Sequence, residues 1–264
     1  MTSLKYYIKQ QVFDSFNINN VDIKNTTKLI ELNESKIRTF LNSAYNFQNN
    51  INEPIGIHIE LINGKNNLYV TGDPDDKQFN ELAFKERTIN IINQFIISQI
   101  PQNLYHYYPI DTIKFINKNI NNKLSNIIQY TINDIIEEYT KKIINNINQL
   151  FITKQGKERK FTLSTKLDNE SYVIRYSSRI FLNESLIKSL YILEYVLSYL
   201  NIENNFKDTN YLKNNHWIAD PQILYENGMY FKAYNVKFFK NGNINIRFNN
   251  EDIVNQINNI KKVD

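Results

Sequence analysis

The first half of the chain is dominated by apolar residues that recur with the period of a helix. From Thr26 to Phe47 they return close to every 3.6 residues, and Asn25 is the predicted cap. The same period predicts helical structure from about Gln78 to Ile100 and from Ile110 to Ile152. The last stretch is long enough for one helix, or for two helices with a break near Asn121 and Asn122.

Two β-hairpins are predicted from strict alternation of apolar and polar residues around Asn-Gly pairs. The first covers 55–72, with its turn at Asn63-Gly64, and the second covers 229–248, with its turn at Asn241-Gly242. Asn and Gly tolerate the positive φ values that a two-residue type I′ turn demands. In the second hairpin, we expect one strand from Tyr230 to Phe239.

The remaining elements lie in the second half of the chain. A polar, basic connection over 153–160 precedes a short strand with the sequence FTLSTKL. Leucines on one stripe predict a helix from Leu182 to Leu200, and a closing helix from about Glu251 to Lys261 should be capped by Asn249 or Asn250.

These elements predict an α+β protein. The N-terminal half is helical and carries one β-hairpin, and the C-terminal half has a small antiparallel sheet and two helices. A shift in composition near residue 153 predicts two regions: a mainly helical one over 1–152 with hairpin 55–72, and an α+β one over 153–264 with hairpin 229–248.

Composition separates a folded chain from a disordered one. Among 264 residues there are 44 Asn and 41 Ile, and the apolar residues interrupt the Asn-rich tracts at structured spacings, so a globular fold is expected. The absence of cysteine excludes disulfides, thiol catalysis and cysteine metal sites. The N-terminal sequence has no signal-peptide core, and no apolar run reaches the roughly 18 residues that span a bilayer, so we expect a soluble protein of the host cytoplasm.

Charge favours the second half of the chain as a binding region. The whole chain has a net charge of only +4, which permits nucleic-acid binding without arguing strongly for it. Basic side chains neutralise phosphates, and neighbouring aromatic rings can stack on unpaired bases. The candidate nucleic-acid-binding residues are Lys160, Arg175, Arg179, Lys237, Lys240 and Arg247. Since neither face of the expected strand 230–239 is purely basic, a buried face with scattered solvated lysines is the favoured interpretation of these residues, and nucleic-acid contact is the other.

Catalytic and metal-binding patterns are weak. No Gly-rich phosphate loop, GxSxG elbow or HExxH helix occurs, and the sequence predicts no catalytic residue, no metal site and no cofactor. Asp73, Asp75 and Asp76 could ligate a cation, but Asp and Pro are also ordinary turn residues. They support only a third hypothesis, a metal-dependent nuclease.

The segment VKFFKNGNINIRFNNEDIVNQIN, Val236 to Asn258, resembles the C-terminal signature of a poorly characterised family of phage, prophage and plasmid proteins. Some members of that family are joined to adenine-specific DNA methyltransferases, so the resemblance implies a role around DNA modification or host takeover. Where family members tend to carry His, this chain has Asn245, and no acid-base role of that side chain carries over.

The first hypothesis is therefore a viral or phage-encoded intracellular accessory protein. Its expected partner is DNA, RNA or a viral or host protein that processes nucleic acid, and no membrane is expected. The alternative hypothesis is an oligomeric component of a virion or of its assembly, with polar interfaces rich in Tyr and Asn.

Overall fold

A computed structural model gives the fold of the chain. It describes residues 3–18, 22–32, 35, 39, 58–62, 65–69, 77–153, 156–167, 173–176, 179–182, 184–205, 217–218, 225–239 and 244–260. The chain forms two compact units, one made of Met1–Phe13 with Glu137–Asp264 and the other of Asp14–Ile136. These units group the residues differently from the predicted regions 1–152 and 153–264, which stay a prediction.

Helices and strands follow the order expected of an α+β protein, and the predicted fold class is confirmed. The longer helices are α1 (Leu4–Ser15), α2 (22–32), α3 (Lys77–Gln99), α4 (Gln102–Tyr107), α5 (Thr112–Asn119), α6 (Leu124–Leu150), α7 (Glu184–Tyr199) and α8 (Glu251–Asn258), and residues 35, 39 and 225–227 are also helical. The strands are β1 (His58–Ile62), β2 (Lys65–Tyr69), β3 (Ser164–Leu167), β4 (Val173–Tyr176), β5 (Arg179–Leu182), β6 (Trp217–Ile218), β7 (Met229–Tyr230), β8 (Tyr234–Phe238) and β9 (Ile244–Phe248).

Most predicted helices are present, and their ends have local causes. The Asp111 side chain caps α5 by accepting a hydrogen bond from the backbone N–H of Lys114 at 3.2 Å. Between α5 and α6 the chain breaks at the predicted point, where the Asn122 amide donates to the Asn119 carbonyl at 2.9 Å. The prediction of Asn25 as a cap is wrong, because α2 already includes that residue.

The first hairpin has the predicted register. Ile62 pairs with Lys65, which leaves two residues between the strands, as a two-residue turn at 63–64 requires. The turn residues themselves, and residues 55–57 and 70–72 of the predicted hairpin, lie outside the described residues.

The C-terminal part of the chain contains two antiparallel sheets. The four-stranded sheet has the order β3-β9-β8-β7, and a three-stranded sheet has the order β4-β5-β6. Helix α8 follows β9 directly, capped by the predicted Asn250, whose side chain accepts from the Ile253 N–H at 2.9 Å. Ile253, Val254 and Ile257 give α8 a buried face.

The predicted single strand from Tyr230 to Phe239 is wrong. The chain reverses at Phe231–Ala233, so that β7 pairs back onto β8 with Met229 opposite Val236. The Phe231 N–H closes this reversal by donating to the Tyr234 carbonyl at 2.9 Å. Alternation alone could not show the reversal, because aromatic residues continue through it.

The predicted closure of the second hairpin by a two-residue turn does not fit the strand register. Phe238 pairs with Ile244, which leaves an odd number of residues, 239–243, between the strands. An unbroken ladder closed by a two-residue turn leaves an even number. The hairpin itself is present, and residues 240–243 lie outside the described part of the chain.

None of the helices within the described ranges combines the length and the apolar character needed to cross a membrane.

Candidate nucleic-acid interface

One side of the four-stranded sheet is buried and the other carries polar and basic side chains. On the buried side, Val236 and Ile246 are 0% exposed. Because side chains alternate along a strand, the residues between them belong to the opposite side. We call that side the cationic face. Its members, all exposed or half-exposed, are Ser164, Lys166, Tyr230, Asn235, Lys237, Asn245 and Arg247.

Strand register places two of the three basic residues in one row. Lys166 of β3 pairs with Asn245 of β9, and Asn245 pairs in turn with Lys237 of β8. Since neighbouring strands lie about 4.8 Å apart, the Cα atoms of the two lysines are about 10 Å apart across the sheet. The Asn245 amide between them donates to the Ser164 hydroxyl at 3.3 Å.

The third basic residue lies in the next row. Arg247 of β9 pairs with Ser164 on one side and with Asn235 on the other. Asn235 pairs in turn with Tyr230 of the edge strand β7, whose side chain is 69% exposed. Arg247 is two residues from Asn245 along β9, about 7 Å, so the three cations form one compact group.

This group is not neutralised within the described residues. The described strands β3, β7, β8 and β9 contain no acidic residue. Ion pairs of the described residues join Lys9 to Glu137, Lys118 to Asp134 and Lys232 to Glu203. Among the residues that the structure describes, no ion pair involves a member of the cationic face.

A buried polar network holds the edge of the sheet in place. Glu194 of α7 is 4% exposed, its carboxylate accepts a hydrogen bond from the Asn204 amide, and the Tyr234 hydroxyl lies 3.4 Å from that carboxylate. Asn204 and Asn205 accept, through their side-chain oxygens, from the backbone N–H groups of Ala233 and Lys232 at 3.0 and 3.1 Å. These bonds fix the reversal that brings β7 and Tyr230 alongside β8.

The electrostatics of this network follow from burial. Desolvation raises the pKa of Tyr234 well above 10.0, and the nearby Glu194 carboxylate raises it further. Burial also raises the pKa of Tyr191 on the same helix as Glu194. Both phenols therefore keep their protons to a higher pH than an exposed tyrosine does, because burial raises the pKa of each.

The structure brings together two of the predicted binding residues, Lys237 and Arg247. Lys160 is exposed on the segment that enters β3, outside the paired rows, and Lys240 lies outside the described residues. Arg175 and Arg179 belong to the three-stranded sheet, where Arg175 pairs with Ile180 and Arg179 pairs with Tyr176. Their side chains are not among those that the structure describes.

Sequence reasoning missed Lys166 and Tyr230 as members of the face. Lys166 joins it because β3 pairs with β9, a contact between segments about 80 residues apart. Tyr230 joins it because of the reversal after β7. The only signal in the sequence was alternation within FTLSTKL, which places Ser164 and Lys166 on one side of that strand.

Metal-ligating residues do not gather in the described part of the chain. Within the described residues, no three His, Asp or Glu side chains lie close enough to hold a metal ion. Asp73, Asp75 and Asp76 lie outside those residues, so the nuclease hypothesis stays a hypothesis.

The arrangement of the cationic face suits binding of an extended polyanion. Its cations can neutralise phosphates, its amides can donate and accept hydrogen bonds, and its tyrosine offers an exposed ring. Comparison with known protein families, with curated proteins and with solved structures found no match.

Proposed function

We propose that this protein binds nucleic acid through the cationic face. The observation that carries the proposal is the grouping of Lys166, Lys237 and Arg247 on one exposed side of a sheet whose described strands contain no carboxylate. A surface of solvated lysines on a globular protein usually mixes both signs of charge. A single sign over adjacent rows favours a partner that is itself a line of negative charges.

The shape of the surface supports the same partner. Antiparallel strands spaced about 4.8 Å apart present their outward side chains as a regular array. Phosphates of a nucleic-acid backbone can contact such an array at several points together, and each contact releases counterions. The amides of Asn235 and Asn245 lie among the cations and can bond phosphate or base edges.

The biological setting belongs to the same proposal. The resemblance of residues 236–258 to the phage, prophage and plasmid family supports a viral or phage-encoded accessory protein that acts in DNA modification or host takeover. Strand β9, which contributes Arg247 and Asn245 to the cationic face, lies inside that segment. The oligomeric virion or assembly role stays the alternative hypothesis.

The test is a fluorescence-anisotropy titration with labelled single-stranded and double-stranded DNA and RNA over a range of salt concentrations. With three phosphate contacts, log K should fall against log salt with a slope of about −2 for single strands and about −3 for duplex. Lys237→Glu should weaken binding about tenfold or more and reduce the magnitude of the slope by about 1.

A matched control separates the face from overall charge. Lys141 is exposed on α6, and Lys141→Glu makes the same change in net charge away from the cationic face. We expect this variant to bind almost as wild type does. Absence of binding by the wild type at low salt, or equal losses in Lys141→Glu and Lys237→Glu, would contradict the proposal.

A further inference from the structure

We infer that the nucleic acid bound by the cationic face is an unpaired strand, with Tyr230 as a platform on which a base stacks. This inference rests on the proposed function and adds the class of nucleic acid. It comes from the aromatic side chains on the face, whereas the proposed function comes from its cations.

Tyr230 is an aromatic ring that folding leaves in water at a fixed position. Its side chain is 69% exposed, although its backbone is paired with Asn235 in the sheet. The neighbours of Tyr230 in sequence, Met229 and Phe231, are buried at 1% and 6% exposure and anchor the strand. The ring is therefore presented by an edge strand whose flanking side chains are buried, and it is available to a ligand.

A second ring lies on the same side of the sheet. Phe239 follows the last residue of β8, and alternation places it on the side of Lys237. The contact between them agrees, because the Lys237 Nζ atom lies 5.8 Å from the centroid of the Phe239 ring. Phe239 is half-exposed. Phe239 is four positions along the chain from Asn235, the partner of Tyr230, so the Cα atoms of the two aromatic residues are about 14 Å apart, with Lys237 between their rows.

Rings placed beside cations distinguish an unpaired strand from a duplex. In a duplex, each base is stacked between its neighbours, so its faces are not available to a protein ring. An unpaired strand can lay a base on Tyr230 and another on Phe239, while its phosphates contact Lys166, Lys237 and Arg247. A duplex can contact only the cations through its phosphates, because its bases cannot stack on the aromatic rings.

The test compares three tyrosine variants of the full-length protein, titrated with labelled oligo(dT) and with a duplex of equal length. Tyr230→Ala should weaken binding to the single strand by about 5- to 150-fold, the effect of one lost stacked base, and should leave duplex binding and the salt slope unchanged. Tyr230→Phe keeps the ring and should bind as wild type does. Tyr6→Ala removes a tyrosine that is 59% exposed on α1 and should also bind as wild type does.

The outcomes separate this inference from the proposed function. If the wild type binds duplex as tightly as single strand and Tyr230→Ala changes neither, then the inference is wrong and the proposed function stands. If no nucleic acid binds at low salt, the proposed function fails together with the inference. Equal losses in Tyr230→Ala and Tyr6→Ala would also overturn the stacking role, because they would show no preference for the cationic face.

Discussion

At the scale of single residues, the buried hydroxyl of Tyr234 links the sheet to helix α7. It is 0% exposed and lies 3.4 Å from the Glu194 carboxylate, which also accepts from Asn204. A buried carboxylate is stable only when hydrogen bonds replace its lost hydration. Because Asn204 also bonds the backbone of Ala233, the same carboxylate helps to hold the reversal on which the position of Tyr230 depends.

The raised pKa of Tyr234 makes the stability of the protein depend on pH in the alkaline range. Above pH 10.0, the phenol ionises in the unfolded chain but stays protonated in the folded one, so loss of the proton favours unfolding. Relative to Tyr234→Phe, the unfolding free energy of the wild type should fall by about 1.4 kcal/mol for each pH unit above that value. Urea unfolding, followed by circular dichroism from pH 8 to 11.5, measures the unfolding free energy of both proteins.

Subtracting the two profiles removes contributions that both proteins share, including that of Tyr191, whose pKa burial also raises. A constant difference between the proteins across the whole range would contradict the prediction. It would mean that the Tyr234 phenol gives up its proton as easily in the folded chain as in the unfolded chain.

At the scale of elements, the short edge strand β7 depends on the glycine that precedes it. Gly228 has φ +71°, which L side chains rarely adopt, and a Cβ atom there would lie 2.5 Å from the carbonyl oxygen of Val236. Val236 is the partner of Met229 in the ladder. The close approach of the two backbones is thus part of how β7 joins the sheet.

Two glycines with nearly the same φ angle provide a matched test of this close approach. Gly156 has φ +74°, but a Cβ atom there meets nothing within 4 Å. Gly156→Ala should therefore lower the unfolding free energy by about 1 kcal/mol, the cost of the left-handed conformation alone. Gly228→Ala should cost about 2 kcal/mol more, because the Val236 carbonyl must move or the strand must separate. Denaturant unfolding of the two variants measures the difference.

Equal losses in Gly156→Ala and Gly228→Ala would show that the approach of Gly228 to Val236 does not constrain the sheet. In that case, β7 would be held mainly by its hydrogen bonds to β8 and by the side chains that bond the reversal at 231–233.

At the scale of the whole molecule, the division between the two compact units falls within the residues of α6, between Ile136 and Glu137. The helix begins in the unit of Asp14–Ile136 and ends in the unit that contains the C-terminal sheets. That second unit also includes the start of the chain, where the centroid of the Tyr7 ring lies 5.5 Å from the centroid of the Tyr199 ring. Phe151 directly follows α6, and the centroid of its ring lies 5.5 Å from that of the Phe161 ring. The second unit is therefore discontinuous in sequence.

This discontinuity predicts the behaviour of a fragment. Residues 153–264 alone lack α1 and the last turns of α6, and with them the rings of Tyr7 and Phe151 that pack on the rest of the unit. We expect this fragment to unfold at a lower urea concentration and over a broader range than the full chain, because its exposed apolar surface has lost those contacts. Fluorescence of Trp217 reports the transition in both.

A sharp transition of fragment 153–264 at the urea concentration of the full chain would count against this expectation. It would support the sequence-based division between residues 152 and 153 and would show that the contacts of α1 and α6 are dispensable for folding.

The sequence predicted local elements well, because short-range spacing determines them. Helix α3 begins and ends within one residue of its predicted limits, and the cap at Asn250 follows from the polar pair before an apolar run. Of the three cations of the cationic face, the sequence predicted two. Lys237 and Arg247 lie on the hairpin that the Asn-Gly pair marked, whereas Lys166 enters through pairing with a strand about 80 residues away.

The sequence alone determined most of the long helices, the two hairpins, the α+β class and the excess of positive charge in the second half, since these depend on periodicity and composition. Tertiary structure alone decided that β7 folds back on β8 and that β3 pairs with β9. Those pairings depend on the burial of one side of the sheet and on hydrogen bonds between distant segments. They determine which cations and which aromatic ring share a surface.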